Sequence, residues 1–239
     1  MALAHSKDAF FSSLQSKIVI ASQAHVKIPQ KKTNERILPL PSGTLSHNTL
    51  SSTIIGIGAS TGGTETTLEI LKALPKEMPG IVVTQHMPEG FTAMYAQRLN
   101  RLCKLEVKEA KHGDPILPGQ VLIAPGSLQM KVVPAQKGYM VQCVNGEKVN
   151  GHCPSVDVLF SSIAENVSVR KVGIILTGMG RDGADGLLKM RQKGAFTIGQ
   201  DKASSVVYGM PMVANNIGAV CIQSSYKNIA SVLLNHLKQ

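Results

Sequence analysis

From Thr53 onward, short runs of continuous apolar residues alternate with longer stretches in which apolar positions recur every three or four residues. The runs TIIGIG (53–58), GIVVTQH (80–86), LEVKEA (105–110), QVLIAPG (120–126), KVGIILTG (171–178), AFTIGQ (195–200) and AVCIQS (219–224) predict strands. The longer stretches at 64–74, 91–102, 156–167, 185–194 and 226–237 predict helices; the first places Leu68, Leu71 and Leu74 on one face. MKVVPA (130–135) and YMVQCV (139–144) flank Gln136-Lys137-Gly138 and predict a small β-hairpin. Strands alternating with helices imply an α/β fold, a doubly wound and mostly parallel sheet with right-handed crossovers. Most of these runs are apolar without alternation, as helices on both faces of the sheet require. The chain contains no internal repeat.

Ahead of Thr53 the pattern differs. Residues 8–24 put Phe10, Leu14, Ile18 and Ile20 roughly on one face and predict an amphipathic helix. Residues 25–52 are polar and carry Pro29, Pro39, Pro41 and Gly43, the composition of a flexible linker. The expected organisation is a helix and linker over 1–52, then one domain over 53–239.

Composition narrows the function. Of the 239 residues, 43% are hydrophobic but only 4% are aromatic, so the core must be built from Ile, Val, Leu, Ala and Met. The formal charge is +10. Residues 1–52 hold six basic and two acidic side chains, and the rest hold 19 and 13. The excess is therefore spread along the chain, with no aromatic-rich basic stripe, which argues against nucleic acid as partner. The four cysteines, Cys103, Cys143, Cys153 and Cys221, form no C-x-x-C pair, which argues against zinc and suits a reducing cytoplasm. Residues 1–11 lack the apolar run of a secretion signal, and no apolar stretch is long enough for membrane insertion.

In a parallel α/β sheet, ligands bind beyond the carboxyl ends of the strands. Three such ends carry chemistry. The first strand runs into Gly58-Ala59-Ser60-Thr61-Gly62, a G-x-S-x-G turn that presents a serine at the N-terminus of the next helix. Ser60 or Thr61 in the role of helix cap is the plainer alternative. The second strand ends in His86, within side-chain reach of Ser60 if the two strands are neighbours about 4.8 Å apart. The strand ending at Thr177 leads into Gly178-Met179-Gly180-Arg181-Asp182-Gly183, a loop whose Asp182 can orient a histidine or simply cap the helix beginning near Asp185. Asp185 competes for both roles. Asp114 and Asp157 are poorer candidates, and His112 and His152 are rim candidates. The glycines Gly56, Gly58 and Gly62 also resemble a dinucleotide-binding turn, but that reading needs a carboxylate at the end of the second strand, where His86 stands.

Six segments in order, GIGASTGG, QHMP, LPGQVLIAPG, PSVDVLFSS, ILTGMGRDG and ASSVVYGMP, resemble the catalytic domain of the chemotaxis protein-glutamate methylesterases over about residues 53–237. The resemblance implies a cytoplasmic serine hydrolase that demethylates glutamyl methyl esters, releasing methanol, and also deamidates glutamines. Its implied partners are methyl-accepting chemotaxis receptors. The triad it implies is Ser60, His86 and Asp182, with no cofactor and no metal. The backbone N–H groups of Thr61 and Met179 are the oxyanion-hole candidates. Members usually carry an N-terminal phospho-accepting receiver domain, for which residues 1–52 are too few. The expected helix at 8–24 and its linker resemble a receiver's last helix and the connection that follows it. The readings from other classes are a nucleotide-binding oxidoreductase and a non-catalytic module that binds receptors.

Overall fold

The structure, a computed structural model, describes residues 37–239. The helix expected over 8–24 lies outside the described residues. The elements, in chain order, are α1 (His47–Ser51), β1 (Thr53–Ala59), α2 (Gly63–Ala73), β2 (Gly80–Gln85), α3 (Phe91–Leu102), β3 (Glu106–Glu109), β4 (Gln120–Ile123), β5 (Gln129–Pro134), β6 (Tyr139–Val144), α4 (Val156–Asn166), β7 (Arg170–Ile175), α5 (Ala184–Gln192), β8 (Phe196–Gln200), α6 (Met210–Asn216), β9 (Ile222–Ser224) and α7 (Tyr226–Leu237). Seven strands form one sheet in the order β3-β4-β2-β1-β7-β8-β9. Every pairing in that sheet is parallel. The expected hairpin is present as β5 and β6, paired antiparallel apart from the main sheet.

Alternate strand residues point to opposite faces, so a sheet buried on both sides needs two helical layers. Ile55 and Ile57 of β1 pack with Leu68 and Leu71 of α2, Leu99 of α3 and Leu233 of α7. Ile54 and Val82 face the other way, toward Phe160 and Ile163 of α4, Leu187 of α5 and the hairpin's Val132 and Val141. On this second face β1 carries Gly56 and Gly58 and β7 carries Gly173, with Gly56 and Gly173 side by side in register. A Cβ on Gly56 would stand 2.7 Å from Ile163 Cδ1, and one on Gly58 only 2.1 Å from Val156 Cγ1. A Cβ on Gly173 of β7 would stand 2.5 Å from Leu187 Cδ1. These glycines let α4 and α5 press onto the sheet, and they bring the N-terminus of α4 to the carboxyl ends of β1 and β7. Phe160 is fully buried in this layer, which is worth about 2–3 kcal/mol by area.

Two stretches differ from the sequence pattern. Residues 37–52, within the expected linker, run against α7 and the core. Leu38 N–H donates to Asn228 Oδ1 (2.8 Å), Ser231 Oγ donates to Leu38 O (3.0 Å), and Lys238 Nζ donates to Pro41 O (3.0 Å). Leu45 is buried in the core cluster. The five apolar residues of this stretch, Ile37, Leu38, Leu40, Leu45 and Leu50, are spaced without a helix or strand period among prolines and serines, so docking of this kind has no local signature. Helix α6 was also not anticipated. Its seven residues span barely two turns, too few for an amphipathic repeat; Pro211 within the first turn is the one local hint.

Candidate active site

Ala59 and Gln85 are paired across β1 and β2, so Ser60 and His86 are the next residue on each strand. His86 N–H donates to Ala59 O (3.0 Å), and Ser60 N–H donates to Thr177 O (3.0 Å) at the end of β7. The chain then turns through Gly62, whose φ of +81° favours glycine and whose Cβ, if present, would strike Val206 at 2.6 Å. Ser60 O accepts from Gly63 N–H (2.8 Å) and from Gln85 Nε2 (2.9 Å), so the serine turn is held from both sides. Helix α2 begins after Gly62 without a side-chain cap, so the capping alternative for Ser60 or Thr61 is not realised.

His86 is bound through Nε2 to Asp182 Oδ2 at 2.7 Å, with the two side chains 8% and 1% exposed. This fixes the proton on Nε2 and leaves Nδ1, which is buried and has no hydrogen-bond partner. Asp182 also accepts from Val156 N–H (2.7 Å) through Oδ2. Its Oδ1 accepts from Ser155 Oγ (2.7 Å), Asn150 Nδ2 (3.1 Å) and Asp157 N–H (3.3 Å). Burial pushes the Asp182 carboxyl up. The hydrogen bonds from His86, Ser155, Asn150 and Val156 outweigh it and bring the pKa down to about 2.

Asp182 therefore caps a helix, but not the expected one. It sits at the N-terminus of α4, where the backbone N–H groups favour an anion. Its counterpart Asp157, in the first turn of α4, accepts from Gly186 N–H (2.6 Å) in the first turn of α5. Burial raises the Asp157 pKa, with the nearby Asp182 charge acting in the same direction. Asp185 is on the surface, paired with Arg181 at 2.8 Å. Asp114 is paired with Lys108 at 2.9 Å. Of the two rim candidates, His112 is tied to the hairpin through Cys143 O (3.3 Å), whereas His152 stacks on His86.

The Met179 loop closes the other side. A Cβ on Gly178 would stand 2.7 Å from Ser60 Cβ, so this backbone lies directly against the serine. Gly178 O accepts from Gly209 N–H (3.1 Å) and Met210 N–H (2.9 Å), and Gly178 N–H donates to Val207 O (3.0 Å). Segment 203–211 is thus the brace of that loop, and Thr177 Oγ1 ties in Thr61 O (3.0 Å). Met179 itself is 72% exposed, at the open side of the site. An open cleft of ≈ 280 Å³ runs past His86, Lys148 and His152. Sequence reasoning missed Gln85, Asn150 and Ser155. Gln85 lies in the quoted QHMP segment, but nothing local marks it as a clamp on Ser60 O.

The CheB methylesterase family matches residues 55–233. The chain belongs to the CheB methylesterase family. It is 52% identical over 232 residues to a protein-glutamate methylesterase/protein-glutamine glutaminase of Syntrophomonas wolfei, covering 97% of this chain and 66% of the relative. It is 52% identical over 171 residues to an enzyme of the same name from Escherichia coli, covering 72% of this chain and 49% of that one. The chain thus spans about two-thirds of the first relative and about half of the second. The crystal structure of the Thermotoga maritima CheB methylesterase catalytic domain aligns with a TM-score of 0.75 at 36% identity, covering 78% of this chain and 99% of that one. The nucleotide-binding reading is not supported. Gly56 and Gly58 face α4 rather than a ligand. Among the described residues, no group of His, Cys, Asp or Glu is placed to hold a metal, and no helix is long and apolar enough to cross a membrane.

Proposed function

We propose that this chain is a serine hydrolase that converts glutamyl methyl esters on proteins to glutamate and methanol, using Ser60, His86 and Asp182. The supporting observation is His86 itself: buried, held by a carboxylate through Nε2, with a bare Nδ1 at the strand end next to that of Ser60. In the proposed reaction Nδ1 takes the Ser60 hydroxyl proton as Oγ attacks the ester carbonyl. Asp182 stabilises the imidazolium that forms. The N–H groups of Thr61 and Met179 receive the oxyanion; among the described residues neither donates elsewhere. Methanol leaves with the proton from His86, and water then hydrolyses the acyl-enzyme to glutamate. The same acyl-enzyme forms from glutamine with ammonia as leaving group, which accounts for deamidation.

The proposed protein substrates are methyl-accepting chemotaxis receptors, reached from the cytoplasm; four unpaired cysteines suit that compartment. The test is methanol release from methylated receptor membranes by this chain and by Ser60→Ala, with labelling of Ser60 by a serine-reactive phosphonate. Receptor binding without methanol release would make the chain a binding module instead.

A further inference from the structure

Between the hairpin and α4 the chain reverses at Val149–His152, and two residues of this turn touch the site. Val149 N–H donates to His152 O (3.0 Å), and His152 N–H donates to Val149 O (2.9 Å). The central residues Asn150 and Gly151 have φ of +53° and +83°. This is a two-residue type I′ turn, for which Asn-Gly is the favoured pair because both positions need positive φ. Gln129 of β5 fixes it in place, donating to Glu147 O (2.9 Å) and His152 O (3.3 Å) and accepting from Ser155 N–H (2.9 Å).

The His152 ring lies 3.7 Å from the His86 ring with the planes 9° apart. That is van der Waals contact and leaves no room for water on this face. The His86 ring has one hydrogen bond, to Asp182, and a single bond leaves it free to swing about its side-chain torsions. Covering one flat face removes that freedom. Two residues earlier, the Asn150 amide donates to Asp182 Oδ1 (3.1 Å) and Asp157 Oδ2 (2.6 Å). Only its NH₂ end can face two carboxylates, so its orientation is determined. One turn therefore braces both members of the His86–Asp182 pair.

Resting on the reading of Ser60 and His86 as nucleophile and base, we infer that the Val149–His152 turn is the positioning element of the site. His152 holds the His86 ring in the plane that keeps Nδ1 available to Ser60, and Asn150 holds the Asp182 carboxylate that orients the ring. The charged and titratable groups facing His152 are His86, Asp182 and Lys148. Burial is the main cause that lowers the His152 pKa, and any proton taken up by His86 would lower it further, so a neutral ring stacks on His86 at neutral pH.

The experiment measures kcat and KM for methanol release from methylated receptor membranes with the full chain, His152→Ala, His152→Phe and Asn150→Gly. Thermal melts and the imidazole ¹⁵N spectrum accompany the kinetics. His152→Ala should lower kcat about tenfold to a hundredfold, with KM changed less than about twofold. Its His86 ring signals should broaden as the ring gains motion, while the Nε2–H tautomer set by Asp182 is kept. His152→Phe should restore most of kcat, because a flat ring suffices. Asn150→Gly keeps the turn's backbone and should lower kcat in the same way. A His152→Ala enzyme with wild-type kcat overturns the inference. So does a His152→Phe enzyme as slow as His152→Ala, which would give the imidazole nitrogens their own role. Ser60→Ala, run alongside, separates the two readings. Methanol release that survives it sinks the esterase, whereas its loss together with a fully active His152→Ala sinks only the positioning role.

Discussion

Replacing Asp182 by Asn keeps the shape of the side chain and removes its charge. Both carboxylate oxygens accept only: Oδ2 from His86 Nε2 and Val156 N–H, Oδ1 from Ser155 Oγ, Asn150 Nδ2 and Asp157 N–H. An amide has one acceptor oxygen, so its NH₂ must face donors on one side. If the NH₂ takes the Oδ2 position, Val156 N–H is left unpaired and His86 must accept through Nε2, which moves the ring proton to Nδ1. If it takes the Oδ1 position, the new amide opposes that of Asn150 beside Asp157 N–H. An unpaired buried donor costs about 1–3 kcal/mol. Lost anion–helix attraction at α4 adds about 0.3–1 kcal/mol, more when buried. The drop in the Asp182 pKa from 3.8 to about 2 gives an independent figure, about 2 kcal/mol at neutral pH. We therefore expect Asp182→Asn to lose about 2–4 kcal/mol of stability and on the order of 10⁴ in kcat through the wrong tautomer. Urea unfolding and methanol release on the same preparation measure both. A variant within about 0.5 kcal/mol of the parent, a shift typical of surface sites, would refute the capping role deduced for Asp182, and near-normal turnover would refute its orienting role.

The same carboxylate sets an acid limit. Its folded pKa is depressed, so its contribution is fully present above about pH 4 and is lost as pH falls toward 2; Asp182→Asn should show a flatter stability profile across that window. Asp157, whose pKa is raised, acts in the opposite sense and reduces the net slope. Gly58→Ala places a methyl 2.1 Å from Val156 Cγ1 and should cost about 1–3 kcal/mol or more, as overpacking does, with turnover falling because Val156 carries an N–H bound to Asp182. Ser60→Ala and His86→Ala should each remove most activity, and the double variant should be little worse, since groups acting as a unit are not additive; losses that multiply would separate the two residues.

The elements that shape this molecule were legible where a local period reports burial. Continuous apolar runs marked most of the parallel strands, three-to-four spacing marked five of the helices, and glycine-rich turns at strand ends marked Ser60 and Asp182. His86 was legible because it stands where a strand ends. Each of these signals lies within a dozen residues of chain, the distance over which backbone geometry alone ties side-chain direction to position. Strand order, the docking of 37–52 along α7 and the partner helix of Asp182 lay beyond that range. Asp182 caps α4 rather than the helix that follows it because Gly58 and Gly183 let Val156 and the N-terminus of α4 come close, across 26 residues of sequence. Gln85, Asn150, Ser155 and His152 join the site in the same way. Their side chains show no period, and only the packing of two layers on one sheet decides which hydrogen-bond donors converge on the buried carboxylate.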